Sequence, residues 1–125
     1  MLYVYPAIIH EDSDGVWAEF PDLLGCQTFS DSVSDLLADA SEALECELVE
    51  SLERGDTLPT PTPMGKLAIT ETSYPTLIRI DVDLAKNTRS VKKTLTIPEW
   101  LNDRALSKGI NFSKVLQEAL LAKGV

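Results

Sequence analysis

Cationic side chains are nearly missing from the first half of this chain. Between Met1 and Gly65 only Arg54 stands against fourteen Asp and Glu, a net charge of −13. Histidine is reduced to His10, and cysteine to Cys26 and Cys46. These three residues cannot supply the four soft ligands of a structural zinc. No apolar run approaches the ~20 residues that span a bilayer, so no membrane partner is expected. The first residues, Met1 to Pro6, lack both a basic n-region and a long apolar h-region. No signal peptide is therefore expected, and the chain is expected in the cytoplasm. In that reducing compartment both cysteines are expected as free thiols.

The missing cations reappear later. From Lys66 to Val125 ten Lys and Arg face six acids, a net +4 within an overall −9. A pI near 4.4 argues against nucleic acid for the chain as a whole. Attraction to phosphate follows the local field, however, and the average hides a basic segment. The 125 residues allow one compact domain, or a small domain plus a short module. A 44% hydrophobic content is ordinary for a globular protein.

Leu2 to Ile9 is rich in Val, Ile and Tyr and predicts a strand, with Pro6 arguing for an edge position or a bulge. Asp12-Ser13-Asp14-Gly15 predicts a turn. Val16 to Phe20 predicts the return strand, with Val16, Ala18 and Phe20 on one face and Trp17 and Glu19 on the other. Cys26 to Phe29 predicts a third strand, and connections this short require an antiparallel meander. Ser32 is a good N-cap for a long helix, with Asp35 three residues on. Val33, Leu36, Leu37, Ala40, Leu44, Leu48 and Leu52 form its apolar stripe, and Gly55 stops it. Asp39, Glu42, Glu45, Glu50 and Glu53 occupy the opposite face, read most simply as solvated. The Thr-Pro alternation from Thr57 to Pro63 predicts an extended connector. Thr76 to Leu84 alternates as a fourth strand. Asp83 to Val91, containing Lys86, Asn87, Thr88, Arg89 and Ser90, predicts a linker.

The last segment has another rhythm. Val91 to Ile97 predicts a short strand, Glu99 to Lys108 a helix ended by Gly109, and Asn111 caps a last helix with Phe112, Val115, Leu116, Ala119 and Leu120. About 33 residues are too few to bury a core of their own, so a second copy is expected. This strand-helix-helix segment resembles the ribbon-helix-helix fold of small repressors, in which two chains pair their strands in the DNA major groove. Val91, Lys93, Leu95 and Ile97 would face the helices. Lys92, Thr94 and Thr96 would read base edges, while Asn111 and Ser113 at a helix start suit a phosphate. The alternative is a helical hairpin completing a single core, with Lys92 and Lys93 as edge-strand lysines.

Nearly the whole chain is similar to the HicB family of antitoxins. The resemblance rests on Tyr5-Pro6, on Asp12-x-Asp14-Gly15-x-Trp17-x-x-x-Phe20-Pro21-Asp22-Leu23, on Gly25-Cys26 and on Glu42-Ala43-Leu44. It continues through Lys92-Lys93-Thr94-Leu95-Thr96-Ile97-Pro98-x-Trp100-Leu101 and Asn111-Phe112-Ser113. Leu24, Ser30 and Asp39 stand where the family more often has Pro, Gly and Asn. The resemblance implies an α+β fold. An antiparallel sheet with one long helix, partial RNase H-like (residues 1–85), would precede a ribbon-helix-helix module (residues 86–125). It further implies an antitoxin, not an enzyme, without cofactor or metal. Such a protein neutralises a small basic HicA-type RNA-cleaving toxin and represses its own operon at an inverted-repeat operator. It acts as a homodimer through the ribbon, with scope for higher oligomers. The acidic half then complements a basic toxin, and Trp17, Glu19, Asp22, Leu23 and Leu24 are the candidate contacts.

Two other readings stay open. One is a metal-dependent RNase H-like nuclease using Asp12, Glu19, Asp22, Asp81 and Asp83. The other is an orphan transcriptional regulator whose acidic domain senses a ligand or another protein. His10 is read as a solvated turn residue. Cys26 and Cys46 are read as structural thiols, since neither has a basic neighbour.

Overall fold

A computed structural model describes residues 1–125, the side chain of Asn87 excepted. In order, the elements are β1 (Leu2–Asp12), β2 (Gly15–Glu19), β3 (Gln27–Ser30), α1 (Val33–Arg54), a 3₁₀ turn (Met64–Lys66), β4 (Ser73–Asp81), α2 (Leu84–Asn87), α3 (Glu99–Ser107) and α4 (Phe112–Ala122). The chain divides into Leu2–Val82 and Asp83–Val125, the latter grouped with Met1. The division falls three residues ahead of the 85/86 boundary expected from sequence.

In the first unit four strands form one sheet in the order β3-β2-β1-β4, every pair antiparallel. The meander follows from the short connections. Asp12 Oδ1 accepts the Asp14 N–H at 2.8 Å and closes the β1–β2 turn. Gly15 takes φ 141° there, and a Cβ on it would lie 3.0 Å from the Ser30 carbonyl oxygen. β4 returns on the far side of β1, pairing Tyr5 with Ile78 and Tyr3 with Ile80. It spans Ser73–Asp81 rather than 76–84. Leu84 instead begins α2, because the Asp83 carboxylate accepts the Ala85 N–H at 3.0 Å and starts a helical turn. The expected linker is thus partly a one-turn helix.

Alternation decides which face of the sheet is covered. Tyr5, Ala7 and Ile9 of β1, Ala18 of β2, and Ile78 and Ile80 of β4 share one buried face. α1 lies on it through Leu36, Ala40, Leu44 and Leu48, spaced every four residues, and Ile9, Ala18 and Leu36 meet at the centre. Leu37, expected on the stripe, is 38% exposed, and Val49 takes a buried place instead. α1 starts where expected, with Ser32 Oγ accepting the Asp35 N–H at 3.2 Å. It ends at Gly55 in the left-handed region (φ 78°), where the Gly55 and Asp56 N–H groups bond back to the Leu52 and Ser51 carbonyls.

Pro6 sits inside β1, a strand with neighbours on both sides. β2 pairs only with Ile8–Asp12, however. At Pro6 the strand is bonded to β4 alone, so the proline nitrogen meets an open edge and no ladder bond is lost.

The second unit is built differently. α3 follows Pro98, and the Gly109 and Ile110 N–H groups close its end onto Leu106 and Ala105. Asn111 Oδ1 accepts the Lys114 N–H at 3.1 Å and caps α4. Val91–Ile97, expected as a strand, has no regular secondary structure in the single chain. A two-stranded ladder needs a partner strand, and one chain offers none here. No described residue from 83 to 125 is buried. Leu95, Trp100, Leu106 and Val115 stay between 49% and 61% exposed.

Gly15→Ala should destabilise the first unit by ~1–3 kcal/mol, since a strained backbone and a carbonyl contact act together. Urea unfolding of the full chain, followed by Trp17 fluorescence with Trp100 replaced by Phe, measures this.

Candidate partner-binding and nucleic-acid surfaces

The sheet face turned away from α1 carries an aromatic row. Register places His10 opposite Trp17, and Trp17 opposite Phe29. Facing residues on adjacent strands lie ~5 Å apart, which brings their rings together. His10 stacks on Trp17 with centroids 4.0 Å apart and planes at 10°, and Trp17 on Phe29 at 5.9 Å and 24°. His10 is therefore a stacked strand residue rather than a solvated turn residue. Its Nε2 is shielded from solvent, lies 3.5 Å from Glu19 Oε1 and makes no hydrogen bond. Phe29 ends the row on the edge strand, 69% exposed.

The five residues expected to meet a toxin do not form one patch. Trp17 and Glu19 share the side of β2 turned away from α1, both half-buried. The loop after β2 closes on itself through Leu23 N–H to the Phe20 carbonyl and Cys26 N–H to the Leu23 carbonyl, both at 3.1 Å. That closure buries Leu23 and leaves Leu24 at the tip, 95% exposed. The Asp22 carboxylate turns inward, accepting the Thr62 N–H at 2.9 Å and the Thr62 hydroxyl. Together with the Tyr5 hydroxyl, which donates to the Pro59 carbonyl at 2.6 Å, it straps the Thr-Pro connector to the sheet domain. Asp22 thus holds structure forty residues away.

Phe29 is not among the residues expected from sequence to meet a toxin. The signal for it is the meander register, which puts it beside Trp17. An open depression of about 790 Å³ also runs from the β1–β2 turn past the end of β3 to the first turns of α1. Its lining includes Trp17, Phe29 and the carboxylates of Asp12, Asp14, Asp31, Asp35 and Asp39, with no Lys, Arg or His. Asp39 accepts the Ser30 hydroxyl at 2.6 Å, and Asp12 closes the turn.

The carboxylates considered for a metal site are spread apart. Asp81 pairs with Leu2 at the start of β1, while Asp12 ends that strand, about 33 Å away at 3.3 Å per residue. Among the described residues no three His, Cys, Asp or Glu side chains come together to hold a metal ion.

The thiols are not poised for attack. Burial, reinforced by Glu47, pushes the Cys26 thiol up to about 11. Cys46 is exposed, and the neighbouring Glu50 carboxylate raises it. Both effects disfavour the nucleophilic thiolate.

In the second unit Lys92, Thr94 and Thr96 are all exposed. The Asn111 side chain is occupied in capping α4, and Ser113 lies exposed in its first turn. The positive end of that helix is therefore intact. The Arg104 guanidinium stacks 5.1 Å from the Trp100 ring centre, one helical turn away. Among the described residues, no helix is long and apolar enough to cross a membrane.

Two outcomes follow from this geometry. Asp22→Ala should speed hydrogen exchange of the Thr62 amide about tenfold or more, the loss of a charged acceptor being worth ~1.5–3 kcal/mol. In the folded protein at pH 8, iodoacetamide should label Cys46 and spare Cys26, as read by peptide mass; denaturant should expose both.

Known proteins share this organisation. Residues 5–122 match the family described as HicB-like antitoxin of bacterial toxin–antitoxin systems. An uncharacterised 14.9 kDa protein of Haemophilus phage HP1, from its rep-hol intergenic region, is 30% identical over 104 residues. The match covers 81% of this chain and 77% of that protein. A chain of a toxin–antitoxin complex from Streptococcus pneumoniae superposes with TM-score 0.61 at 28% identity, covering 98% of this chain and 99% of that one. The antitoxin HicB of Burkholderia pseudomallei shares the fold, with TM-score 0.65 at 20% identity over 95% and 96% of the two chains. With a family match spanning nearly its whole length, this chain belongs to the HicB-like antitoxins, non-enzymatic regulatory proteins of bacterial toxin–antitoxin systems.

Proposed function

We propose that the Leu2–Val82 unit neutralises a small basic, RNA-cleaving toxin of the HicA type, and that the Asp83–Val125 unit dimerises and represses the operon encoding both proteins. The observation that carries this reading is the contrast between the two units. One has a complete core and an acidic surface. The other carries eight of the eleven Lys and Arg and buries none of its described apolar side chains.

The acidic unit suits a protein that itself holds RNA. Such a protein presents a positive surface, and complementary charge speeds encounter and restricts partner choice. Toxin–antitoxin complexes among the similar structures support a toxin partner. The meander followed by a long helix and a returning strand supports the partial RNase H-like reading of the sheet domain. A cytoplasmic location follows from a partner that cleaves cellular RNA.

The basic unit suits DNA once it is paired. In a ribbon formed by two copies of Val91–Ile97, the apolar side chains pack on α3 and α4, and Lys92, Thr94 and Thr96 point outward together. These side chains match base-edge chemistry: Lys donates to guanine acceptors, and Thr meets a base edge or a thymine methyl. The start of α4, with Asn111 and Ser113, suits a backbone phosphate. A two-fold ribbon requires an inverted-repeat operator.

Co-expression with the adjacent reading frame should yield a complex with a small basic protein, and the complex should bind operator DNA with steep salt dependence. A chain lacking residues 86–125 should keep the protein partner and lose the operator; operator binding equal to the full chain would refute the module assignment. Thr94→Ala should lower the ratio of operator to random-DNA affinity more than the total affinity. Lys92→Ala should weaken both, and reduce the salt slope by about one for each phosphate it no longer neutralises. Unchanged binding in both variants would mean that the opposite strand face meets DNA.

A further inference from the structure

The aromatic row on the sheet face turned away from α1 ends in an exposed phenylalanine. Phe29 stands 69% exposed on the edge strand, beside Trp17. With the half-buried Trp17 stacked beside it, Phe29 gives this edge of the sheet an aromatic surface open to a partner. The rim narrows the choice of partner. The carboxylates of Asp14, Asp31 and Asp35 line the same depression. None of the three makes a hydrogen bond or ion pair among the described residues. Arg54, the sole Lys or Arg of the first 65 residues, lies nineteen residues along α1 from Asp35, about 29 Å at 1.5 Å per residue. No Lys or Arg of the first half of the chain lies beside this rim.

We propose that this aromatic, carboxylate-rimmed end of the sheet is the docking surface for an arginine-bearing segment of the basic partner protein. The inference rests on the antitoxin reading above and locates its contact. Arginine suits the surface on two counts. Its guanidinium plane stacks on aromatic faces, and its fork of donors pairs with carboxylates. The sheet domain of a second copy does not suit it, because two acidic surfaces would bring like charges together. Nucleic acid is excluded for the same reason. The surface also separates two roles within the acidic half. Phe29, Asp31 and Asp35 would meet the partner, while Asp22 holds the connector.

The test uses the full-length chain and the basic protein of the adjacent frame, with affinity measured by calorimetry at two salt concentrations. Phe29→Ala should weaken binding at least tenfold. Asp31→Asn with Asp35→Asn should weaken it at least tenfold and flatten its salt dependence. Glu42→Gln with Glu53→Gln removes the same charge from exposed positions elsewhere on α1 and should leave affinity within threefold. All these side chains are exposed, so circular dichroism and operator binding should stay at wild-type values. Affinities within twofold of wild type for both test variants would overturn the surface while leaving the antitoxin reading intact. So would a control variant that loses as much as the rim variant. A wild-type chain that binds no basic protein would overturn both.

Discussion

The apolar side chains of the last forty residues have nowhere to go within one chain. Val91–Ile97 lacks a strand partner, and α3 and α4 leave Leu95, Trp100, Leu106 and Val115 about half exposed or more. Fully burying a large apolar side chain contributes roughly 1.5–3 kcal/mol, so half a dozen left half exposed forgo about 5–9 kcal/mol. A segment of this size cannot recover that from its own interior. A second copy can, by supplying the missing strand and the facing helices at once. In the proposed account dimerisation is therefore what folds the reading surface. It also brings two sets of Lys92, Thr94 and Thr96 together, and DNA affinity rests on that pairing more than on a modest positive charge.

The sheet domain meets the opposite condition. α1 covers the centre of one face through a four-residue repeat of apolar side chains, and two caps fix where the helix begins and ends. The other face is kept partly open. Asp22 and Tyr5 hold the Thr-Pro connector, while Phe29 and the acidic side chains of Asp14, Asp31 and Asp35 remain exposed. Structural carboxylates and available carboxylates thus sit within one acidic domain, distinguished only by their partners.

Local chemistry makes much of this legible from sequence. The meander, the Ser32 and Gly55 caps and the positions of Leu36, Ala40, Leu44 and Leu48 follow from spacing and turn residues. What depends on distant partners is hidden. Asp22 reads as a surface acid until Thr62 is folded against it. His10 reads as a turn residue until β1 extends to Asp12 and register sets it on Trp17. α2 is one turn long, too short for periodicity to reveal, and Leu84 continues the alternation of the strand before it. Of the expected toxin contacts, Leu23 is buried and Asp22 engaged because a loop has no periodicity to say which of its side chains turn inward or what they meet. Phe29 can be found by counting the register across the meander.

The mass of the full-length chain across a range of concentrations bears most directly on this account. Sedimentation equilibrium should return twice the chain mass of 13.7 kDa, or a multiple of that dimer, down to low micromolar concentration. Leu95→Asp should shift the mass toward 13.7 kDa and abolish operator binding together. A wild-type chain that stays at 13.7 kDa while binding operator DNA would contradict the claim that dimerisation creates the DNA-reading surface.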